Sequence, residues 1–454
     1  MENNKIKRKA SLIFGTQIIE TVYDPEKEET HFVSYENGQI EFLDTIKKDN
    51  QEYHPIDGRS DLLKKGVILL PSEPLEYGID DELIKGIGAF IHKYLDISPN
   101  FEEIATYYVM FSWLYDRFNE VPYLRALGDF GSGKSRFLQT IGSLCYKPIF
   151  TGGATTSSPI FRILNDIGGT LVLDEADYKS SETSDDIVKI LNMGFQRGGS
   201  VLRSEGKGVF EVKAYDVYSP KIVGTRETFS DRALESRFLV EEMGIGTLRN
   251  DIPRRLPDEF YEEARILRNK LLMWRFKNYF KRLVYDEKLI EGVSPRLQQI
   301  AIPLLSIIES NDMKERLKTF VQNYSKELIA ERGQSRESEI VFAILRLEQE
   351  TSPKELTMKD IANNVNQDSL LDFDDQISPK KIGWYLRKKL QLRSHRTRNG
   401  FVLNIEKNKQ KLNFWKARFG ITDIDLKNEA GEHVNDVNVV DDKDDGLSAA
   451  DVGF

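Results

Sequence analysis

Residues 128–135 read Gly128-Asp-Phe-Gly131-Ser-Gly133-Lys134-Ser135 and match G-x-x-x-x-G-K-[ST] at every fixed position. Glycines at these positions let a loop curl until its amides point inward at phosphate oxygens. Lys134 then reaches the β and γ phosphates, and Ser135 offers a hard oxygen to Mg2+. The strand-like PYLRAL runs into this loop and the helical RFLQTIGSLC leaves it, so the positive end of a helix adds to the attraction for an anion. Further along, Gly168-Gly-Thr-Leu-Val-Leu-Asp174-Glu175 is an apolar run ending in acids. Asp174 is placed to orient Mg2+ through its water shell, and Glu175 to polarise the water that attacks a γ phosphate. With both motifs in one unit, hydrolysis of ATP is favoured over binding alone.

A third apolar run, Pro220-Lys-Ile-Val-Gly-Thr225, ends in a hydroxyl, and Thr225 is the candidate γ-phosphate sensor. Asp231-Arg232-Ala-Leu-Glu-Ser-Arg237 follows closely. An arginine presented to a neighbouring subunit's γ phosphate stabilises transition-state charge; Arg237 is the first candidate and Arg232 the second, with local salt bridges as the alternative. Such a finger implies a homo-oligomer. Ser294-Pro-Arg296-Leu opens a later helical segment, where Arg296 is expected to act as a second arginine sensor in its own subunit.

Two features point to nucleic acid. Residues 199–213 form two alternating runs joined by Gly206-Lys207-Gly208, a hairpin pattern with Lys207 at its tip. There it would project into a central pore and meet a DNA phosphate, with Arg203 and Lys213 as weaker candidates. The second is Ser378-Pro-Lys-Lys-Ile-Gly-Trp-Tyr-Leu-Arg-Lys-Lys-Leu, a capped helix with Lys380, Lys381, Arg387, Lys388 and Lys389 around the apolar Ile382, Leu386 and Leu390. Arg393, Arg396 and Arg398 follow on a two-strand wing turning at Asn399-Gly400. A helix of this kind docks in the major groove of duplex DNA; packing beside the motor, or binding protein, is the alternative.

Several elements must position these groups. Residues 1–78 read as a small strand-rich domain, and 79–250 as helices followed by a mostly parallel α/β core. Residues 251–330 read as a helical lid, 331–412 as the winged-helix domain and 413–454 as an acidic, disordered tail. At 454 residues, 40% hydrophobic and 30% charged, the chain has the composition of a multi-domain globular protein. No apolar run is long enough to cross a membrane, no secretion signal is read at the start, and Cys145 is the only cysteine, so a reducing cytoplasm is expected. The formal net charge of -9 argues against DNA, but the acids concentrate after Ile421, against only Lys427 and Lys443.

Taken in order, GDFGSGKS, TLVLDEAD, a hairpin before PKIVGT, then DRALESRF, SPRL and a terminal winged-helix pattern resemble the AAA+ replicative helicases of bacterial mobile genetic elements. The similarity is to the self-loading, MCM-like type of staphylococcal cassettes and pathogenicity islands, over about residues 80 to 410. This resemblance implies a hexameric ring that translocates on single-stranded DNA in its pore and binds duplex origin DNA through the winged helix. It implies Lys134, Ser135, Asp174 and Glu175 as the hydrolytic set, Thr225 as first sensor, Arg237 as trans finger, Arg296 as second sensor and Lys207 as pore contact. One departure matters: the stretch from Cys145 to Gly168 has no room for the long insertion of true MCM motors, so the shared mechanism is safer at the level of a ring ATPase. No primase carboxylate cluster is apparent in the amino-terminal region. Two other readings stay open, an AAA+ helicase loader or transcription or remodelling regulator, and a DNA-dependent ATPase of a defence or DNA-transfer system.

Overall fold

The computed structural model describes residues 7–174, 182–205, 211–229, 231–244, 248–285, 290–367, 376–398, 400–423 and 425–426, with backbone alone at 182–185, 205, 232, 331 and 332. It divides into two compact units, Met1–Ser325 and Lys326–Phe454.

The first unit begins with two small sheets. Ser11–Phe14, Gln17–Asp24, Glu29–Glu36 and Gln39–Leu43 form an antiparallel meander, and Lys7–Lys9, Gln51–Pro55 and Ile46–Lys48 form a three-stranded sheet. The meander turns between its last two strands at Asn37-Gly38, both at positive φ, the residue pair that a two-residue hairpin favours.

Five parallel strands follow: β1 (Tyr123–Leu127), β2 (Ile149–Thr151), β3 (Leu171–Leu173), β4 (Lys221–Thr225) and β5 (Phe238–Glu242). Their spatial order is β5-β1-β4-β3-β2, the arrangement of an AAA+ P-loop ATPase core. Elements cover both faces of such a sheet, which is why these strands read as continuous apolar runs. The helix α1 (Lys134–Gly142) follows β1 and buries Phe137, Leu138 and Ile141. Helices Asp80–Tyr94 and Pro99–Ser112 precede the sheet, and Asp258–Asn278 and Pro295–Leu305 follow it. Between β3 and β4, Ser200–Glu205 pairs with Glu211–Asp216 as an antiparallel hairpin.

Three helices start on a Ser-Pro pair. Ser98, Ser294 and Ser378 each accept the amide of the residue three positions on, at 3.4, 3.4 and 3.3 Å, and the proline takes a position whose N–H would have no partner.

The second unit is a winged helix. Helices Arg336–Thr351, Met358–Gln367 and Pro379–Trp384 pack around Ile340, Ile344, Ile361, Ile382, Leu386 and Leu403. The third helix continues through Tyr385–Lys389 in wider π turns. Its sheet has three strands, Glu355–Thr357, Gly400–Asn404 and Ser394–Thr397, where the sequence suggests two. A further helix, Ile405–Arg418, runs past residue 412, where the tail was expected to begin. Asn404 caps it, Leu412 is buried in the core, and Trp415 Nε1 donates to Leu390 O at 2.9 Å. Most of the acidic tail lies outside the described residues.

The amino-terminal meander is tied to the core by buried charge. Glu20, 1% exposed, accepts from Lys147 Nζ at 2.8 Å, from Arg275 Nε at 2.8 Å and from Tyr146 Oη at 2.8 and 2.9 Å. Arg275 also pairs with Asp116 at 2.7 Å. Removing Glu20 leaves Lys147 buried without its carboxylate and Arg275 with Asp116 alone, and breaking a buried pair in this way costs about 3–5 kcal/mol. Glu20→Ala is therefore expected to lower the stability to denaturant by about that amount, and a urea midpoint equal to the parent's would refute the assignment.

Candidate nucleotide site and nucleic-acid interface

Leaving β1, the chain passes Gly131 at φ 72° and Gly133 at φ 97°, the left-handed region that glycine enters without strain. At Gly128 the limit is space, since a Cβ there would lie 2.7 Å from both Met243 O and Ser132 Oγ. The loop closes on its own lysine: Lys134 Nζ donates to Gly128 O and Asp129 O, both at 2.7 Å.

Asp174 follows β3, at the same edge of the sheet as the loop, and Ser135 Oγ donates to Asp174 Oδ2 at 2.7 Å. Both sit in a cavity of about 350 Å³ shared with Phe130, Gly131, Lys134 and Arg226. A hydroxyl beside a carboxylate is a pair of hard oxygen donors, the protein share that Mg2+ takes when phosphates and waters complete its shell, so these residues fit the ion. Glu175 lies outside the described residues.

Thr225 ends β4 beside the loop, where Gly128 N donates to its carbonyl at 3.1 Å. The residue is 1% exposed and its hydroxyl has no hydrogen-bond partner among the described residues. Leaving such a group unpaired costs about 1–3 kcal/mol, a cost that a phosphate oxygen or a water removes. Arg226, the next residue, was missed in the sequence. It lines the cavity, and its guanidinium lies 3.7 Å from the ring centroid of Phe130, which is 74% exposed within the loop. The available signal was its place, one residue past the end of the strand beside the loop's own.

Arg237 sits elsewhere. Its carbonyl accepts from Tyr123 N at 3.1 Å, so it lies at the start of β1 while the phosphate loop lies past the end. Four residues at about 3.3 Å each set roughly 13 Å between those two ends. Arg296 does not line the loop cavity either: its guanidinium is 5.1 Å from the ring of Phe195, and that of Arg237 is 5.3 Å from the same ring. Phe195 O accepts from Val121 N at 3.0 Å, which fixes this cluster at the amino edge of the sheet. Burial and then the neighbouring Arg296 lower the pKa of Arg237. Arg237 Nη1 donates to Ala233 O and its Nε has no acceptor among the described residues. The side chain of Arg232 lies outside the described residues. Burial pushes the Cys145 thiol up to about 12 and takes it out of reactive chemistry.

Of the hairpin candidates, Lys207 lies outside the described residues. Arg203 pairs with Asp186 at 2.6 Å and stacks 5.1 Å from the ring of Phe161, so it fastens the hairpin to its base. Lys213, opposite Arg203 in the register, is exposed. On the winged helix, Lys380, Lys381, Arg387, Lys388, Lys389, Arg393, Arg396 and Arg398 are all exposed, while Ile382, Leu386 and Leu390 are buried. Two aromatics missed in the sequence share this surface: Trp384 and Phe401, each 45% exposed, with Arg387 5.3 Å from the Phe401 ring centroid and Lys389 5.8 Å from that of Trp384.

Among solved structures, the chain is similar to the apo NrS-1 C terminal region, 10% identical with a TM-score of 0.34 over 85% of this chain and 95% of that one. It is similar to JCV helicase, 13% identical with a TM-score of 0.23 over 55% of this chain and 61% of that one. It is also similar to AMPPCP-bound DnaA from Aquifex aeolicus, 13% identical with a TM-score of 0.19 over 72% of this chain and 96% of that one. No family model and no curated protein matches the sequence. At these scores the likenesses add nothing to the strand order and loop geometry on which the AAA+ assignment of the core rests.

Proposed function

We propose that the chain is an ATP-hydrolysing DNA helicase that works as a homo-oligomeric ring, a hexamer, and replicates a mobile genetic element from its origin. The observation that carries this is the division of arginines and phosphate loop between opposite edges of one sheet. Arg237 and Arg296 gather on Phe195 at the amino edge, and Lys134, Ser135 and Asp174 at the carboxyl edge. An arginine held roughly 13 Å from its own loop serves a nucleotide bound by the next copy.

In that ring, the loop amides and Lys134 hold the β and γ phosphates of ATP. Ser135 and Asp174 would hold Mg2+, which would supply neutralisation of phosphate charge. Glu175 takes a proton from the attacking water, which leaves ADP and inorganic phosphate, and Thr225 reads the γ position through its buried hydroxyl. Arg237, with Arg296 beside it, offsets the charge that develops on the neighbour's transferred phosphate. Lys207 at the hairpin tip contacts single-stranded DNA in the pore. The basic face of the winged helix, Lys380 through Arg398, grips duplex phosphates, and exposure of all eight cations over a buried apolar stripe supports this. Among the described residues no helix is long and apolar enough to cross a membrane.

Two outcomes are expected. Arg237→Ala and Glu175→Gln each lower ATP turnover by about 100-fold or more, and mixing the two proteins restores activity above either alone, because some interfaces pair an intact Glu175 with an intact Arg237. Mixed rings with no recovery would rule out action in trans. On forked DNA with ATP, the parent chain displaces a strand while Lys207→Ala retains ATPase and loses unwinding; ATPase without unwinding in the parent would favour a loader instead.

A further inference from the structure

A second cavity, of about 1130 Å³, lies between the amino-terminal meander and the helix Asp258–Asn278, away from the phosphate loop. Val22, Phe42, Phe150 and Phe260 contribute apolar wall, and Arg265 and Arg268 contribute charge. Arg268 is 6% exposed. Of its five N–H donors one is used among the described residues: Nη1 donates to Ser143 O at 2.8 Å, and Nε is shut in without an acceptor.

The other cations of the lining are answered. Lys27 pairs with Asp24 at 3.1 Å, Lys65 with Asp61 at 3.0 Å, and Arg265 with Glu262 at 2.6 Å. Arg268 makes no ion pair among the described residues, and the remaining acids of the lining, Glu26, Glu73 and Asp258, are exposed. Burial and then Arg265 bring the Arg268 pKa down to about 10, which leaves the guanidinium charged at neutral pH. The charge of Glu262 acts on Arg268 only from beyond ion-pair distance, and Glu262 is itself held by Arg265; a buried charge with no carboxylate in contact is costly, and a planar fork with unused donors suits a tetrahedral or planar oxyanion. The size of the space and its aromatic wall exceed what a bare ion needs.

We propose that this cavity is a binding site for a small oxyanion-bearing molecule, a nucleoside monophosphate being the class that fits, with its phosphate on Arg268 and its apolar body against Phe150 and Phe260. The site would also answer what the amino-terminal domain contributes, since that domain forms one wall. Ser143 caps the carboxyl end of α1, the helix whose other end is the phosphate loop. An occupant therefore bears, through Arg268, on the element that holds the ATP phosphates.

The test uses the full chain with its phosphate loop saturated by a non-hydrolysable ATP analogue and Mg2+, titrated calorimetrically with AMP, inorganic phosphate and adenosine. AMP is expected to bind saturably and more tightly than phosphate, and adenosine at least ten-fold more weakly than AMP. Binding of phosphate alone as tightly as AMP would make the ligand a free anion and overturn the nucleotide class. Arg268→Gln is expected to weaken AMP at least ten-fold, with the melting temperature reporting that the chain is folded. If that variant does not fold, Arg265→Gln, at a more exposed position, is expected to weaken AMP three-fold or more. No saturable binding beyond the ATP site, or unchanged AMP affinity in the variant that folds, overturns the site.

Discussion

The hydrogen bond from Ser135 to Asp174 joins groups that follow β1 and β3, two strands that are not adjacent, with β4 between them. It exists because all five strands run the same way. Parallel strands deliver every carboxyl end to one edge, so the residues that follow β1, β3 and β4 converge: the phosphate loop, Asp174, and Thr225 with Arg226. The same rule sends what precedes the strands to the other edge. Phe195 bonds to the residue before Pro122, and Arg237 stands one residue before β5. One sheet thus presents the loop with Lys134 and Ser135 at one edge and the guanidinium groups of Arg237 and Arg296 at the other, and the proposed ring is the assembly that brings the two kinds of edge together.

Strand β4 shows how the frame is held rigid between those edges. Lys221, at its amino end, is wholly buried and donates to Gly194 O, Val217 O and Ser219 O at 3.3, 3.1 and 2.9 Å. Burial pulls its pKa well below the usual lysine value. Those carbonyls belong to the end of the helix before the hairpin and to the chain leaving the hairpin, so one lysine side chain pins the hairpin's base. Four residues on, the same strand ends in Thr225. The Glu20 network does comparable work for the amino-terminal meander, where Arg275 and Lys147 converge on one carboxylate that no solvent reaches.

The P-loop half was readable because its motifs are local. A glycine loop between a strand and a helix carries its geometry in a few contiguous residues, and an apolar run closed by acids does the same. What escaped depends on contacts remote in sequence. Arg226 has no motif of its own and gains meaning only from the adjacency of β4 and β1, a pairing between residues about a hundred positions apart. The Ser-Pro cap before Arg296 announces a helix but not the edge of the sheet that the helix will meet. Arg203 reads as a weaker candidate for the pore contact, and only the packed structure supplies Asp186 as its partner. In the winged helix the basic stripe was plain from spacing, while the strand Glu355–Thr357 was too short to show an alternation. The helix Ile405–Arg418 was hidden by charge, since Leu412 and Trp415 are thinly spaced among lysines.

The net charge of the whole chain does not describe the charge of any one of its surfaces. At -9 the whole chain looks unsuited to a polyanion. Yet a screening length of about 8 Å at physiological salt means that a phosphate responds to the charges within its own neighbourhood. The helix Pro379–Trp384 and its π continuation hold Ile382, Leu386 and Leu390 at 0, 0 and 1% exposure. With the apolar positions committed to the core, the lysines and arginines between them have nowhere to point but outward. A single amphipathic pattern therefore builds the core of the winged helix and charges its surface, and the acids that set the sign of the total are concentrated in a different stretch of sequence.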